Sequence, residues 1–434
     1  MREGTFSFAR FYERRVRRLL PALYAMIALT AIPAFHYLLT SERLEFFRSA
    51  AAAVTFTSNF FFWLQTGYFD HAAVEKPLLH TWSLAVEEQF YLAVPPMLWA
   101  AMRFSGGRRW ALPAVLAVIG GASLGLSIYL IATGRSENAF FMSPPRAWEF
   151  LIGSAIALDG FPVPQNRMLQ HVVRTIAVVL ILFPVFSYQQ GPDFPGYRAL
   201  LPCAGAALFI WSGTGIPNRK RHPLSFLSVL RFCGQISYSL YLWHWPLFTF
   251  ARFSKPSLTL DLVDKTILFA LTVTISYLSW RFVEQPFRDR RLAPTRRAAF
   301  GTAAVASLIL LAGSAGGLAL VGTPSPGERA AAKLDEYNSY DYRPLYRYGS
   351  CFAPAGGRFD DACLTTVAGK TNVLLWGDSL AAHYFHGLSQ AANAHSPNLL
   401  QATEPACMPT LNAAGQGAAS CRGKSLNGNC TGCA

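Results

Sequence analysis

The chain has 434 residues, of which 52% are hydrophobic and only 14% charged, too apolar overall for an ordinary soluble enzyme of this length. A net charge of +14 would suit nucleic acid, but the arginines sit in short loops between apolar runs and form no basic face or module, so nucleic-acid binding is excluded. Composition points instead to a polytopic membrane protein with a small polar tail.

The N-terminal string MREGTFSFARFYERRVRRLLPAL reads as a basic amphipathic stretch running straight into an apolar segment, not as a signal peptide. A membrane span needs about 20 apolar residues. Candidates begin near Leu19, Leu44, Thr81, Ala111, Arg146, His171, Ala199, Ile236, Lys265 and Ala298. Four basic stretches, Arg10 to Arg18, Arg103 to Arg109, Arg219 to Arg231 and Arg281 to Arg297, are expected on the cytoplasmic side. Three candidates lie between the first two stretches, whereas a return to the same side needs an even number of crossings. The segment from Leu44 to Leu64, with Glu45, Arg48 and four polar residues near Thr55, is therefore predicted to be interfacial or re-entrant. The same parity sends everything after the last span, Ala298 to Val321, to the outside.

Polar residues inside or beside spans are costly and are candidate functional groups, with helix packing as the standing alternative. Arg15 and Arg18 share one helix face before the membrane, where two guanidinium forks suit a phosphate-bearing donor; topology signalling and lipid headgroup binding are the alternatives. In LLHTWSLAVEEQFYL, at the outer end of a span by parity, His80, Ser83, Glu87, Glu88 and Gln89 interrupt an aromatic and aliphatic run. Ser83 lies one turn and His80 two turns before Glu87, a polar seam that suits a sugar hydroxyl or a proton relay, or a structural network. Arg146 and Glu149 have the spacing to pair with each other. His244 between Trp243 and Trp245 falls mid-span, and Glu284 in RFVEQPFRDR reads as the polar end of a helix or as a site residue.

Residues 323–348 are rich in Pro, Gly, Tyr and charge and read as a linker. Six of the eight cysteines follow it, which suggests an oxidising compartment with local disulfides Cys351–Cys363 and Cys407–Cys421. Zinc at Cys430 and Cys433 lacks a second ligand pair, so no metal is expected. NVLLWGDSLAAHYFHGL reads as a strand, a turn at Gly377 and Asp378, and a helix headed by Ser379, where helix N–H groups and dipole could serve an oxyanion.

Taken together, FYERRVRRLLPAL, PLLHTWSLAVEEQFYL, PRAWEFLIGSAIAL, ISYSLYLWHWPLF, WRFVEQPFR and LLWGDS resemble the acyltransferase-3 family of membrane O-acyltransferases. The closer likeness is to the subgroup fused to an SGNH domain, as in bacterial O-antigen and peptidoglycan O-acetyltransferases. The resemblance implies a polytopic α-helical membrane domain of about nine spans plus one interfacial or re-entrant helix, followed by a partial α/β SGNH-hydrolase-like domain. Residues 1–321 would form the membrane domain, 322–348 the linker and 349–434 the first part of an extracytoplasmic SGNH domain.

It further implies transfer of an acyl group, usually acetyl from cytoplasmic acetyl-CoA, to a hydroxyl of an envelope glycan across a bacterial inner membrane, with membrane lipids as the other partner and no bound cofactor. Arg15 and Arg18 match the family's donor-side pair, His80, Glu87 and Glu88 its His-Thr-Trp-Ser-Leu and Glu-Glu-Gln-Phe-Tyr motif, and Glu284 its acidic residue before Pro. Asp378 and Ser379 match the first SGNH block, with Ser379 as nucleophile. Family members carry two earlier spans, including a histidine thought to be the base, and an Asp-x-x-His block that supplies the base for the serine; neither has a counterpart here. The expectation is a chain truncated at both ends, with weak or no activity alone. The rivals are a transporter or sensor for an envelope glycan or lipid, disfavoured because no paired broken helices in two related halves are evident, and a tail-only esterase.

Overall fold

Long apolar runs with few breakers make the first unit almost wholly helical. The computed structural model describes residues 6–65, 75–106, 108, 110–158, 166–188, 194–213, 226–255, 260–321, 341–353, 359–391 and 397–405. The chain divides into two units, residues 1–329 and 330–434.

In the first unit, α1 (Phe8–Tyr37) opens on Ser7, whose side chain accepts the Arg10 N–H, and runs through Pro21 and Pro33 until Leu38 turns extended. α2 (Thr40–Val54) and α3 (Ser58–Trp63) follow, then α4 (Thr81–Phe104), α5 (Ala111–Ala132), α6 (Ser136–Phe141) and α7 (Ala147–Ile156). The rest is α8 (Arg167–Ser187), α9 (Leu200–Gly213), α10 (Phe226–Phe253), α11 (Leu262–Ser279), α12 (Gln285–Arg288) and α13 (Arg296–Val321).

Five segments are long and apolar enough to cross a membrane: Phe8–Tyr37, Ala111–Ala132, Met168–Ser187, Leu262–Arg288 and Arg296–Leu320. α4 and α10 reach the length but carry the polar side chains described below.

The Leu44 segment, predicted to be interfacial or re-entrant, is broken into α2 and α3 at Thr55–Thr57, where Phe56 adopts a left-handed conformation with φ 54. One expected span takes another form. The Arg146 candidate yields only the 10-residue α7, preceded by a 3-10 turn over Pro144–Arg146 because consecutive prolines cannot donate in a helix interior. Of the Ala199 candidate, the described residues carry the 14-residue α9. It lies tight on α8: a Cβ at Gly205 would stand 2.8 Å from the Ala177 carbonyl oxygen. Nor does Glu284 end a helix. A π-helical turn, Trp280–Glu284, absorbs the proline that follows and carries the chain on through α12.

Side-chain pairings fix the relative depths of α1, α4 and α10. α1 and α4 are antiparallel: the Phe8 and Trp99 rings lie 6.2 Å apart, Tyr12 donates to the carbonyls of Tyr91 and Leu92 at 3.3 and 3.2 Å, and Arg15 meets Glu88 at 2.7 Å. α10 runs parallel to α1, with Tyr238 donating to the Leu19 carbonyl at 2.8 Å and the Tyr37 and Phe250 rings 6.1 Å apart. Tyr241 donates to the His80 carbonyl. At 1.5 Å per residue, both routes place the start of α4 level with the middle of α1, about 23 Å from its Phe8 end. His80 thus sits partway along the bundle, whereas span parity put it at an outer end, because the chain folds back through α2, α3 and the Glu75–His80 turn before α4 begins.

One buried cation ties the basic end together. Arg17, 4% exposed, pairs with Glu13 at 3.0 Å and donates to the carbonyls of Phe287, Ala293 and Thr295, which follow α11 and precede α13. Glu13 also meets Arg290 at 3.4 Å and Arg296 at 3.2 Å. The residues flanking α12 would otherwise leave carbonyls unsatisfied in an apolar setting.

In the second unit, β1 (Asn372–Gly377) and β2 (Asn398–Thr403) are parallel, in register from Asn372 opposite Asn398 to Gly377 opposite Thr403. A short helix α14 (Tyr342–Tyr346) precedes them, and α15 (Ser379–Ala391) makes the crossover that parallel strands require. Phe352 bridges to Thr403, and Cys351–Cys363 form the expected disulfide across 12 residues. Cys407, Cys421, Cys430 and Cys433 lie outside the described residues.

Two outcomes check this packing. Arg17→Ala should cost about 3 kcal/mol by leaving buried partners uncompensated, seen as a lower thermal midpoint in detergent; an unchanged midpoint would contradict it. Peptide mapping without reduction should recover Cys351 linked to Cys363, and Cys351→Ala should cost the second unit about 3 kcal/mol for a loop of that length.

Candidate active site

Among the four arginines of ERRVRR, Arg14 and Arg18 share one face of α1, and the structure gives the four different work. Arg15 is held by Glu88 at 2.7 Å and Glu87 at 3.8 Å and lies over the Tyr91 ring. Arg17 is the buried tie described above. Arg14 and Arg18, one turn apart, make no ion pair among the described residues, although Arg18 interacts electrostatically with Glu284.

These side chains open onto one cavity of about 920 Å³. Its lining runs from Phe11 to Leu19 on α1 and from Ser83 to Tyr91 on α4, and takes in Ser237, Tyr238 and Tyr241 on α10 with Arg288 and Arg290 beyond the π turn. Six arginines and two glutamates line it, so the surplus is strongly positive. Arg290, 59% exposed on its side chain, marks the open end. Ser83 and Tyr241 are the deepest members, their hydroxyls 2.7 Å apart. Tyr241 donates to the His80 carbonyl, which the Ser83 hydroxyl also reaches at 3.4 Å.

Glu284, 1% exposed, projects from the π turn to Arg288 at 2.9 Å, with the Ser239 hydroxyl donating to it at 3.4 Å. His80 and His244 lie behind the floor with ring centres 5.7 Å apart. Arg146 and Glu149 are brought together, paired at 2.9 Å, with Arg146 also over the Trp82 ring 5.0 Å away. Gln89 has a separate task, exchanging hydrogen bonds with Asn59 on α3 and accepting one from Ser143 ahead of the Pro144–Arg146 turn.

The sequence pairs Arg15 with Arg18 as the donor-side couple. In the fold Arg15 is already matched to two carboxylates, and Arg14, Arg288 and Arg290 join Arg18 on the cavity wall. The only sequence sign of this was the density of arginine around Glu284 and Glu13, which leaves the choice of partner open.

In the second unit, Gly377 has φ 156, a backbone that side chains disfavour, and lets the chain turn from β1 into α15. Asp378 caps that helix, its carboxylate accepting from Leu380 N at 2.9 Å and Ala381 N at 3.4 Å. Ser379 is the first helical residue. His383 is 2.8 Å from the Tyr346 hydroxyl and His386 is 2.9 Å from Gln390, so both imidazoles of α15 have local partners. Among the described residues no cluster of His, Cys, Asp and Glu could hold a metal ion.

An acyltransferase-domain profile matches residues 1–281, and a profile for the SGNH domain fused to such domains matches 350–431. BcsY of Komagataeibacter xylinus, a candidate membrane-bound transacylase, is 32% identical over 287 residues, 65% of this chain and 70% of BcsY. The peptidoglycan O-acetyltransferase OatA of Listeria monocytogenes is 31% identical over 305 residues, 65% of this chain and 47% of OatA. The O-acetyltransferase OatA of Staphylococcus aureus is 27% identical over 318 residues, 69% and 52% of the two chains. The chain thus spans about half the length of the OatA relatives. No solved structure matches it. With the profile covering residues 1–281 and the arginine-rich motif and the Glu-Glu-Gln-Phe-Tyr helix converging on one cavity, the chain belongs to the acyltransferase-3 family, fused to an SGNH domain, and is an acyltransferase.

Proposed function

We propose that the membrane unit takes an acyl group, acetyl in the simplest case, from a cytoplasmic acyl-CoA and delivers it to a hydroxyl of a cell-envelope glycan such as O-antigen, peptidoglycan or exopolysaccharide. The arginine-lined cavity carries this reading. Its volume lies in the range of small-molecule and cofactor sites, and guanidinium forks match phosphate oxygens in pairs. Arg14 and Arg18 supply that charge from one wall and Arg288 and Arg290 from the other, while Arg15 shapes the pocket through Glu88. The OatA names, which specify O-acetyl transfer and in one case peptidoglycan, support a glycan hydroxyl as acceptor.

Sidedness follows from where the charges collect. The starts of α1 and α10, the end of α4 and the α12–α13 connection share one end of the bundle, which the positive-inside rule supports as cytoplasmic. α13 starts at that end, where Arg296 meets Glu13, and runs alongside α1, with Tyr24 and Ser307 bonded at 2.6 Å. Its far end then delivers the second unit to the periplasmic or extracellular side of a bacterial inner membrane, where a disulfide is stable. The nine-span topology, the domain limits at 321 and 349, and contact of the apolar outer faces with lipid belong to the same proposal. In the SGNH unit Ser379 takes the acyl group for the last transfer or an esterase step.

Two measurements test this. Arg14→Ala with Arg18→Ala should weaken CoA binding to the purified protein by at least tenfold, as expected for lost hydrogen bonds to charged groups, and should flatten its salt dependence; equal affinity would refute the cavity as the donor site. In cells carrying the gene with its native flanking sequence, Ser379→Ala should abolish glycan acylation; undiminished acylation would take the second unit out of the pathway.

A further inference from the structure

The deep end of the arginine-lined cavity is built unlike its walls. Two phenols of α10 form it, Tyr238 and Tyr241, three residues apart and so on one face of the helix. Tyr238 donates to the Leu19 carbonyl of α1 at 2.8 Å, and Tyr241 donates to the carbonyl of His80, the residue before α4. Each phenol thus ties α10 to a different neighbour. The Ser83 hydroxyl, 2.7 Å from that of Tyr241, joins the floor from the α4 side. Swinging such a phenol aside would leave its hydroxyl and a carbonyl unpaired in an apolar setting, which makes the floor stiff.

The ground behind the phenols is filled. Tyr238 and Tyr241 pack against a core that includes Leu23, Leu84 and Leu242, of which Leu23 and Leu242 are wholly buried and Leu84 is 4% exposed. The His80 ring, 6% exposed, lies 5.4 Å from that of Tyr241. An interior packed in this way accepts extra methylenes only by straining its side chains and backbone.

Depth sets a second limit. α10 runs parallel to α1, so Tyr241, one turn beyond the bond from Tyr238 to Leu19, lies about eight residues deeper than Arg14, or about 12 Å along the axis. The pantetheine arm of CoA has about 13 bonds from phosphorus to sulfur and spans about 15 Å at the advance of an extended chain. Phosphates held at Arg14 and outward toward Arg290 therefore bring the sulfur to the floor. The arm alone uses the depth, and the acyl group has to fit between its own sulfur and the phenols.

We propose that the floor formed by Tyr241 and Ser83 selects the donor by acyl length, taking acetyl and other short acyl groups and turning away hexanoyl and longer ones, with Tyr241 as the specificity-determining residue. This rests on the reading of the cavity as an acyl-CoA site and names the donors that such a site takes. The ring of Tyr241 sets the limit, because it fills the space between α10 and the start of α4, whereas its hydroxyl holds the ring in place. Removing the ring opens a path toward His80 for the end of a longer chain.

The test uses the full chain in nanodiscs and ketone analogues of acetyl-, butyryl- and hexanoyl-CoA, in which a methylene replaces the sulfur so that no transfer occurs. Affinities for these and for CoA are measured on the same sample by calorimetry. The parent should bind the hexanoyl analogue at least tenfold more weakly than the acetyl analogue. Each methylene that finds room is worth about fourfold, so Tyr241→Ala should bind the hexanoyl analogue at least as tightly as the acetyl one. Tyr241→Phe, which keeps the ring, should hold the parent's ratio within threefold.

A second variant works in the opposite direction and does not depend on Tyr241→Ala folding. Ser83→Leu adds bulk to the floor and should weaken the acetyl analogue at least fivefold relative to CoA. A parent that binds the hexanoyl analogue as tightly as the acetyl one, or a Tyr241→Ala protein that binds CoA and keeps the parent's tenfold preference, would overturn the proposal and leave the donor-site reading standing. A Ser83→Leu protein with the parent's ratio of acetyl analogue to CoA would do the same. A folded parent that binds neither CoA nor any analogue would overturn the donor-site reading, and this one with it.

Discussion

Charge pairing in an apolar surrounding is the constraint on which the membrane unit depends. A guanidinium removed from water is tolerated only when carboxylates and carbonyls take up its charge and its hydrogen bonds. Arg17 meets that demand with Glu13 and three carbonyls, and so fixes α1 against the segment that follows α11. Arg15 meets it with Glu88 and Glu87 and so fixes α1 against α4. Once these two are satisfied, Arg14 and Arg18 remain facing open space, and a cavity with surplus positive charge results. Structure and recognition are thus divided among neighbours in a single turn of helix.

The second consequence concerns depth. Because α4 begins level with the middle of α1, the floor of the cavity is formed by helix starts and aromatic side chains near the centre of the bundle. A long donor anchored by its phosphates at the basic end can then present its reacting group far from that anchor. The π turn at Trp280–Glu284 serves the same geometry, turning a buried carboxylate inward at a point where a regular helix would be interrupted by Pro286.

Much of this was legible in the sequence. Apolar runs, basic loops and the Gly-Asp-Ser turn announced a helical membrane protein joined to an α/β unit, and Cys351 and Cys363 are close enough in the chain for their pairing to be read directly. The partners of the arginines were not legible, because Glu88 lies 73 residues from Arg15 and the Phe287 carbonyl 270 residues from Arg17. Helical spacing alone therefore grouped Arg15 with Arg18. Counting apolar residues likewise overlooked a local breaker: Pro144 and Pro145 cut one expected span short. Asp378 shows the same limit in the second unit, since the motif supplies a carboxylate and only the fold reveals that it caps α15.

The central claim is that an acyl-CoA occupies the arginine-lined cavity with its acyl end at the Ser83–Tyr241 floor. Photoaffinity labelling with a CoA thioester bearing a diazirine in its acyl chain, followed by peptide mapping of the intact protein, tests it most directly. The account predicts labelling within residues 80–91 of α4 and 237–244 of α10, lost on competition with CoA. Labelling confined to the second unit, or to the outer faces of α5, α8 and α11 and indifferent to CoA, would contradict it.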